Sequence, residues 1–382
     1  MKVLFISNDP TIFDAGSAAR ARMRAYAALI GELHIVSAAP GDAAEVNEGS
    51  LYLHPTHSWK IFRVRALVLR AHALILEKEI EVVSAQDPFE HGLAALRAVR
   101  GTSAKLHIQV HTDFLSPWFV RSGNWRSPRV RMPLLNSYRR KIADRVLPEA
   151  VGIRVVSERV KSSLVERYGS RISEPSVIPV AVDSFVPESV RLPAHPSFTF
   201  ALITVGRLEP EKRIEDILAA LKLVVAHYPM VGLFVVGEGR ERGRLERMVH
   251  SLGLVDHVIF MKGWRPAAEA WGLMRSAQAF IQASAYEGYG RTLIEAALAR
   301  VPIITTDVGI VGEVFKGYED VLSVPVADPT ALSLAIVGFI EDNAVRQELP
   351  RHAEEAARAH LASVGDLPAR IAEDLARTLQ HP

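Results

Sequence analysis

Short β-branched or apolar runs alternate with segments of helical periodicity along nearly the whole chain, and few folds accept that rhythm. KVLFIS is followed by SAARARMRAYAALI and then ELHIVSAA; later come EVVSAQ, KLHIQVH and GIRVVS, each trailed by a helix-period segment. Buried-type strands separated by helices of about ten or more residues build parallel βαβ units. The rhythm pauses at SFVPESVRLPAHPSF, whose prolines forbid a continuous helix or a central strand. It resumes with FTFALITVGR and runs on through VGLFVVGEG, HVIFMKGW, AFIQASA, VPIITTD and VLSVPV. At 382 residues two cores are more natural than one. The chain therefore reads as α/β, with two Rossmann-like parallel-sheet domains over residues 1–185 and 198–364 and a linker at 186–197. A last helix at about 365–382, containing DLPARIAEDLARTLQ, is long enough to pack back on the first domain. Open parallel sheets bind ligands outside the carboxyl ends of their strands, so a cleft between the two sheets is the expected site.

Hydrophobic residues at 49% and charged residues at 23% are ordinary globular composition. The opening MKVLFISNDP reads as a first strand rather than a secretory signal, because its apolar run is short and ends in Asn-Asp-Pro. No stretch approaches the roughly 18 to 20 apolar residues that span a bilayer. With no cysteine there is neither a disulfide framework nor thiolate chemistry. A cytoplasmic protein is expected. The net charge of +2 hides an asymmetry: residues 1–195 carry 26 Lys/Arg against 19 Asp/Glu, or +7, and the rest 19 against 24, or −5. The excess lies between Arg121 and Arg145, where Arg alternates with Trp125 and Tyr138, and upstream in WKIFRVRALVLRAHALI. A solvated helical face explains such a pattern. So does a surface that meets anionic lipid headgroups or an anionic acceptor, peripheral at the inner membrane face. No nucleic-acid module is visible.

The chemistry concentrates in AYEGYGRTLIEAALARVPIITTDVG, residues 285–309. Gly288 and Gly290 allow a tight turn and a close approach to a ligand. The helix opening near Thr292 then offers unpaired N–H groups and the positive end of its dipole, which attract phosphate. Glu287 precedes the turn and Glu295 sits one helical turn in. A carboxylate cannot bind phosphate, but it accepts hydroxyl hydrogen bonds from a sugar or a ribose. The plain alternative, a capped helix with Glu295 exposed, fits poorly with Glu295 inside LIEAALA. A second piece, VGRLEPEKR, ends the strand FALITV: Gly206 leaves the strand, Arg207 follows, and Lys212 opens the next helix. Two cations there would neutralise a pyrophosphate and stabilise it as a leaving group.

GRLEPEK, VVGEGRERGRL, VIFMKGW and ASAYEGYGRTLIEAALARVPIITTDVGIVGEV, in that order and spacing, resemble the carboxyl-terminal domain of the retaining GT-B glycosyltransferases of family 4. The resemblance covers most of residues 198–345. It extends more loosely to DAGSAAR, QVHTDF, VVSERVKSSL and VIPVAVD in the first domain. It implies that Arg207 and Lys212 hold a nucleotide diphosphate, that Glu287 contacts donor-sugar hydroxyls, and that Glu295 holds the ribose. Main-chain N–H groups from Gly288 through Tyr289, Gly290 and Arg291 to Thr292 would bind phosphate and sugar oxygens. Gly263, Trp264 and Arg265 would border the nucleobase, with Gly237 and Gly239 as a neighbouring wall. In the first domain Gly16 would let its loop approach the diphosphate. His111, closing KLHIQV, would lie beside donor sugar and acceptor, although a histidine at a strand end is by itself more often structural. Asp113 would orient His111 or reach the acceptor, and His91 in QDPFEHG is also near a strand end.

The resemblance implies transfer of a sugar from a nucleotide-diphosphate donor, such as a UDP-sugar or GDP-mannose, to a hydroxyl of a glycan or lipid-linked acceptor. The anomeric configuration would be retained. No metal and no cofactor beyond the donor are expected, since there is no His-Glu-x-x-His and no Asp-x-Asp. Dinucleotide binding at VVGEGRERG is disfavoured, because no third glycine falls at the required spacing. A GT-B nucleotide-sugar epimerase and a non-catalytic nucleotide-sugar-binding protein stay open as alternatives.

Overall fold

The structure, a computed structural model, describes residues 1–7, 9–38, 43–121, 132–182, 190–195, 197–263 and 267–380. Contacts divide these residues into two units. The first holds those up to 115, from 132 to 179 and from 366 onward; the second holds 116–121 and those from 180 to 365. The chain thus changes unit a few residues from the boundaries expected at 185 and 364. One short piece, 116–121, joins the second unit although it lies within the first by sequence.

The first unit is built on β1 (Lys2–Ser7), β2 (Glu32–Ala38), β3 (Val46–Glu48), β4 (Leu51–Thr56), β5 (Val82–Ala85), β6 (Lys105–Val110), β7 (Gly152–Val155) and β8 (Ser176–Val177). They form one sheet in the order β3-β4-β2-β1-β5-β6-β7-β8. All its pairings are parallel except the β3–β4 hairpin. Helices cover both faces of a parallel sheet, so its central strands need apolar residues on both sides. KVLFIS supplies them, with Val3 to Ile6 almost wholly buried. The helix Leu367–Gln380 returns to this unit. Its Ile371 and Leu375 enter the core formed by Val3, Phe5, Ile35 and the helix Ala18–Ile30. It lies so close to β7 that a Cβ on Gly152 would come within 2.3 Å of Thr378 Oγ1.

The second unit has β9 (Phe200–Val205), β10 (Val231–Val236), β11 (Val258–Met261), β12 (Ala279–Gln282), β13 (Ile303–Thr306) and β14 (Leu322–Val324). Their order is β11-β10-β9-β12-β13-β14, all parallel. The order reverses between β9 and β12, and in such sheets the crevice at the reversal receives ligands. The two motifs singled out in the sequence leave those two strands. Among the described residues no helix is long and apolar enough to cross a membrane.

Candidate active site

In the second unit, the loop after β9 carries Gly206, Arg207 and Lys212, and the loop after β12 carries Ser284, Glu287 and Gly290. The two are tied together by the Ala285 N–H, which donates to Glu211 O at 2.7 Å. Lys212 Nζ donates to Glu287 Oε1, and Ser284 Oγ donates to the same oxygen at 2.8 Å. Both members of the ion pair are largely buried, with side chains 17% and 15% exposed. Arg207 lies on the open side, 63% exposed, and donates to Glu211 Oε1 at 3.2 Å.

Gly290 stands at the N-cap of the helix Arg291–Leu298 with a φ of +93°, and no side chain caps that helix. By contrast, Ser17, Ser157, Asp328 and Asp342 each cap the helix they precede. A helix N-terminus without a side-chain cap presents the positive end of its dipole, the setting in which anions bind. Glu295 is buried one turn in, and Arg291 Nε donates to its Oε1 at 2.7 Å. Tyr289 points inward: its hydroxyl pairs with His360 Nε2 at 2.7 Å, and burial, aided by the Glu313 charge, raises its phenol well above the ordinary value. The loop is held from behind by the Ile310 N–H, which donates to Tyr289 O at 2.9 Å.

The glycines of VVGEG have a packing cause. Gly237 has a φ of +141°, and a Cβ there would fall 1.9 Å from Gly206 O; one on Gly239 would fall 2.3 Å from Leu208 O. The loop after β10 thus lies directly against the loop after β9, joined by Leu208 N–H to Glu238 O at 2.9 Å. Gly263 N–H donates to Glu238 Oε1 at 2.8 Å. Trp264 and Arg265, expected beside a nucleobase, lie outside the described residues.

Three features escaped the sequence reading. Ser284 supports Glu287, as above. Gln282, the last residue of β12, accepts from Thr292 Oγ1 at 2.6 Å, while its Nε2 is buried without a partner among the described residues. It lines a small cavity with Gly206, Arg207, Lys212 and Ser284. The short helix Pro117–Arg121 also belongs to this unit. Its Trp118 lies under the Arg213 guanidinium at 5.5 Å, and Phe119 meets Tyr286 edge-on at 5.4 Å.

In the first unit, His111 follows β6 and donates from Nε2 to Gln109 Oε1 at 3.0 Å. Burial, reinforced by the Arg154 charge and opposed by Asp87, pushes its pKa down to about 3. Asp113, expected to orient His111 or to reach the acceptor, is buried and its charge supports Arg140, while Gln109 Oε1 is the atom that pairs with His111 Nε2. His91 pairs its Nδ1 with Asp87, whose other oxygen accepts from Phe89 N–H at 2.7 Å. Gly16 N–H donates to Asp14 Oδ1 at 3.0 Å, and its own loop leaves space for a Cβ. Among the described residues no group of three histidines or carboxylates is placed to hold a metal ion.

Two family models cover most of the chain: Glycosyltransferase Family 4 over residues 18–184, and Glycosyl transferases group 1 over residues 193–360. The chain is 29% identical over 210 residues to the glycogen synthase of Mycobacterium tuberculosis (strain CDC 1551 / Oshkosh), a match spanning 52% of the chain and 48% of that relative. The chain thus spans about half the length of that curated relative. In fold it is similar to a sucrose-phosphate synthase from Thermosynechococcus elongatus, with a TM-score of 0.78, 19% identity, and coverage of 100% of this chain and 99% of that one. It is similar too to Anabaena Alr3699/HepE, solved in complex with UDP-glucose, with a TM-score of 0.70, 18% identity, and coverage of 100% and 99%. The alternating sheets, the paired loops at the strand reversal and the two consecutive family matches lead to one assignment: the chain belongs to the family 4 glycosyltransferases of GT-B fold.

Proposed function

We propose that the protein transfers a sugar from a nucleotide-diphosphate donor to an acceptor hydroxyl with retention of configuration. The observation that carries this reading is the Lys212–Glu287 pair set before an uncapped helix of the second unit. Cation, anion and the positive end of a helix dipole there match a ligand that is phosphate at one end and polyhydroxylated at the other. The UDP-glucose bound to the Anabaena protein of similar fold supports a nucleotide sugar as that ligand.

In this reading Arg207, Lys212 and the first turn of the helix Arg291–Leu298 bind the diphosphate. The bond from the anomeric carbon to the diphosphate oxygen breaks, and its electron pair leaves with the diphosphate. The acceptor oxygen bonds to the same face of that carbon, and its proton goes to the departing phosphate oxygen. Glu287 holds the donor-sugar hydroxyls and Glu295 the ribose. Main-chain groups of Gly288, Tyr289 and Gly290 bind phosphate and sugar oxygens, and Gly16 admits the diphosphate beside its loop. The neutral His111 contributes a hydrogen bond to a sugar or acceptor hydroxyl. No carboxylate is needed as a covalent nucleophile.

The acceptor is a glycan or lipid-linked molecule, and the protein works at an anionic membrane surface on the cytoplasmic side. The support is the surface around the helix Arg63–Lys78. Trp59 and Ile61 are 82% and 80% exposed, and Phe62, Leu69 and Leu76 follow at seven-residue spacing with Arg65 between them. Apolar side chains that enter the headgroup region beside cations bind anionic lipid.

Thermal unfolding with a panel of nucleotide sugars tests the donor, since saturation at 100 times Kd stabilises by about 2.7 kcal/mol. Product analysis with and without acceptor extracts then separates transfer from epimerisation. A donor consumed alone without hydrolysis would assign an epimerase, and binding without turnover a binding protein. Arg207→Ala abolishes transfer, and unchanged kinetics would remove Arg207 from the site. Sedimentation with phosphatidylglycerol vesicles but not phosphatidylcholine vesicles tests the surface.

A further inference from the structure

The alternation of β6 puts His107, Gln109 and, one residue past the strand, His111 on one side of the backbone. That face is covered by the carboxyl-terminal helix, and the three side chains share one continuous set of hydrogen bonds.

Arg154 lies at one end of the set and is 5% exposed. A guanidinium only donates, so the Gln109 atom 2.9 Å from Arg154 Nη1 is the carbonyl oxygen Oε1. Arg154 is itself anchored by donation to Ile178 O at 3.0 Å and Pro179 O at 2.7 Å. The amide end of Gln109 then donates to Ser84 Oγ at 3.0 Å. Ser84 and His107 Nδ1 are 2.8 Å apart, and His107 Nε2 lies 3.0 Å from Asp374 Oδ2. Since a carboxylate accepts, His107 carries a proton on Nε2, and the neutral ring receives the Ser84 hydroxyl proton at Nδ1. The chain is polarised in one direction, with a cation at one end and an anion at the other. Ser84, His107, Gln109 and Asp374 are all buried.

His111 Nε2 lies 3.0 Å from the same Gln109 Oε1 that accepts from Arg154. Two donors converge on one acceptor, so Nε2 bears the hydrogen. His111 Nδ1 makes no hydrogen bond among the described residues.

We propose that Gln109 is a positioning residue that locks His111 as the Nε2–H tautomer, leaving Nδ1 bare as a hydrogen-bond acceptor for a substrate hydroxyl. Arg154 and the Ser84–His107–Asp374 chain set the orientation of Gln109. A histidine held this way receives a hydroxyl proton in a hydrogen bond and cannot donate from its substrate-facing nitrogen. The geometry stands on the first unit alone; only the use of Nδ1 rests on the glycosyl-transfer reading.

The test is a long-range ¹H–¹⁵N spectrum of the full chain with ¹⁵N-labelled histidine, the His111 ring being identified by its loss in His111→Asn. The expected spectrum at neutral pH has His111 Nε2 at the protonated shift and Nδ1 at the bare-nitrogen shift. The reverse pattern, or two averaged nitrogens, overturns the proposal in the parent protein without any variant. Gln109→Glu keeps an acceptor facing Arg154 and His111, so the Nε2–H tautomer persists. Gln109→Leu removes it, so the two shifts converge, and kcat/KM falls about tenfold, the worth of one hydrogen bond. A folded Gln109→Leu protein whose His111 shifts match the parent would also overturn it. If the tautomer changes in Gln109→Leu while transfer does not, the lock is right and the role of His111 in transfer is wrong.

Discussion

Lys212 and Glu287, 75 residues apart in sequence, share a hydrogen bond between ammonium and carboxylate at the reversal of strand order in the second unit. Each side chain is more than four-fifths buried, so each is the main compensation for the other's charge. The two substitutions should therefore act in opposite ways. If Lys212 binds the diphosphate as proposed, Lys212→Ala should weaken UDP binding by about 10- to 100-fold, the range of a charge-assisted hydrogen bond. Glu287→Gln releases the ammonium from its carboxylate and should leave UDP binding as tight or tighter. If Glu287 holds donor-sugar hydroxyls as proposed, the same change should lower sugar transfer by about two orders of magnitude. Calorimetry with UDP beside steady-state transfer measures both, and parallel losses of UDP affinity would contradict separate roles.

Glu295 is buried with one oxygen held by Arg291. If it also accepts from a ribose, Glu295→Ala should weaken UDP by about tenfold and leave pyrophosphate affinity unchanged. Competition of UDP and pyrophosphate against a labelled donor makes the comparison, and equal UDP affinity in variant and parent removes the ribose contact.

Gly237→Ala should destabilise the second unit by more than about 2 kcal/mol, since it combines a left-handed backbone with a Cβ overlapping Gly206 O. The strain falls on the loop that bears Arg207 and Lys212, so donor affinity should fall together with the unfolding midpoint. Gly263→Ala is the comparison: its φ is also positive, at +82°, but its Cβ would meet nothing within 4 Å among the described residues. It should cost roughly 1 kcal/mol, from the backbone alone. Equal midpoints for the two variants in thermal unfolding would contradict the overlap.

Acid should destabilise the protein earlier than carboxylates alone predict. Burial lowers the pKa of His34, His54, His111 and His360. His34 and His54 sit in one buried row, His34 Nδ1 lying 2.9 Å from His54 Nε2, with Arg70 beside His54. A lowered folded pKa means that below about pH 6.5 the unfolded chain binds more protons than the folded one, so stability falls with pH. The loss begins near pH 6.5 and, for His111, continues to about pH 3. Each group contributes a slope of up to about 1.4 kcal/mol per pH unit. Urea unfolding at pH 7.5, 6.5 and 5.5 reads it, and a midpoint that is flat or rises towards acid would contradict burial of neutral histidines.

The architecture was legible in the sequence because its cause is local. Runs such as KVLFIS and VGLFVV are apolar on both faces, and only helix-covered parallel strands need that. EGYGRTLIEA was legible for the same reason, since turn, uncapped helix and buried acid lie within ten neighbouring residues. Contacts between distant residues have no such local sign. His107 and Asp374 are 267 residues apart, and neither KLHIQV nor RIAEDLAR announces a partner. Gln282 reads as an ordinary strand end until Thr292 is folded against it. Residues 116–121 follow β6 in sequence, yet Trp118 and Phe119 find their ring partners, Arg213 and Tyr286, in the second unit. The pairing of Gln109 with His111 gives no sign of its own in KLHIQVH, although the strand's alternation places both residues on one side.

The return of the helix Leu367–Gln380 to the first unit has a consequence for synthesis. A ribosome makes the residues of the second unit before it makes Ile371, Asp374 and Leu375, which complete the first. The half of the protein translated earliest thus acquires its last wall only after the other half has been made, and Asp374 reaches His107 at that late moment.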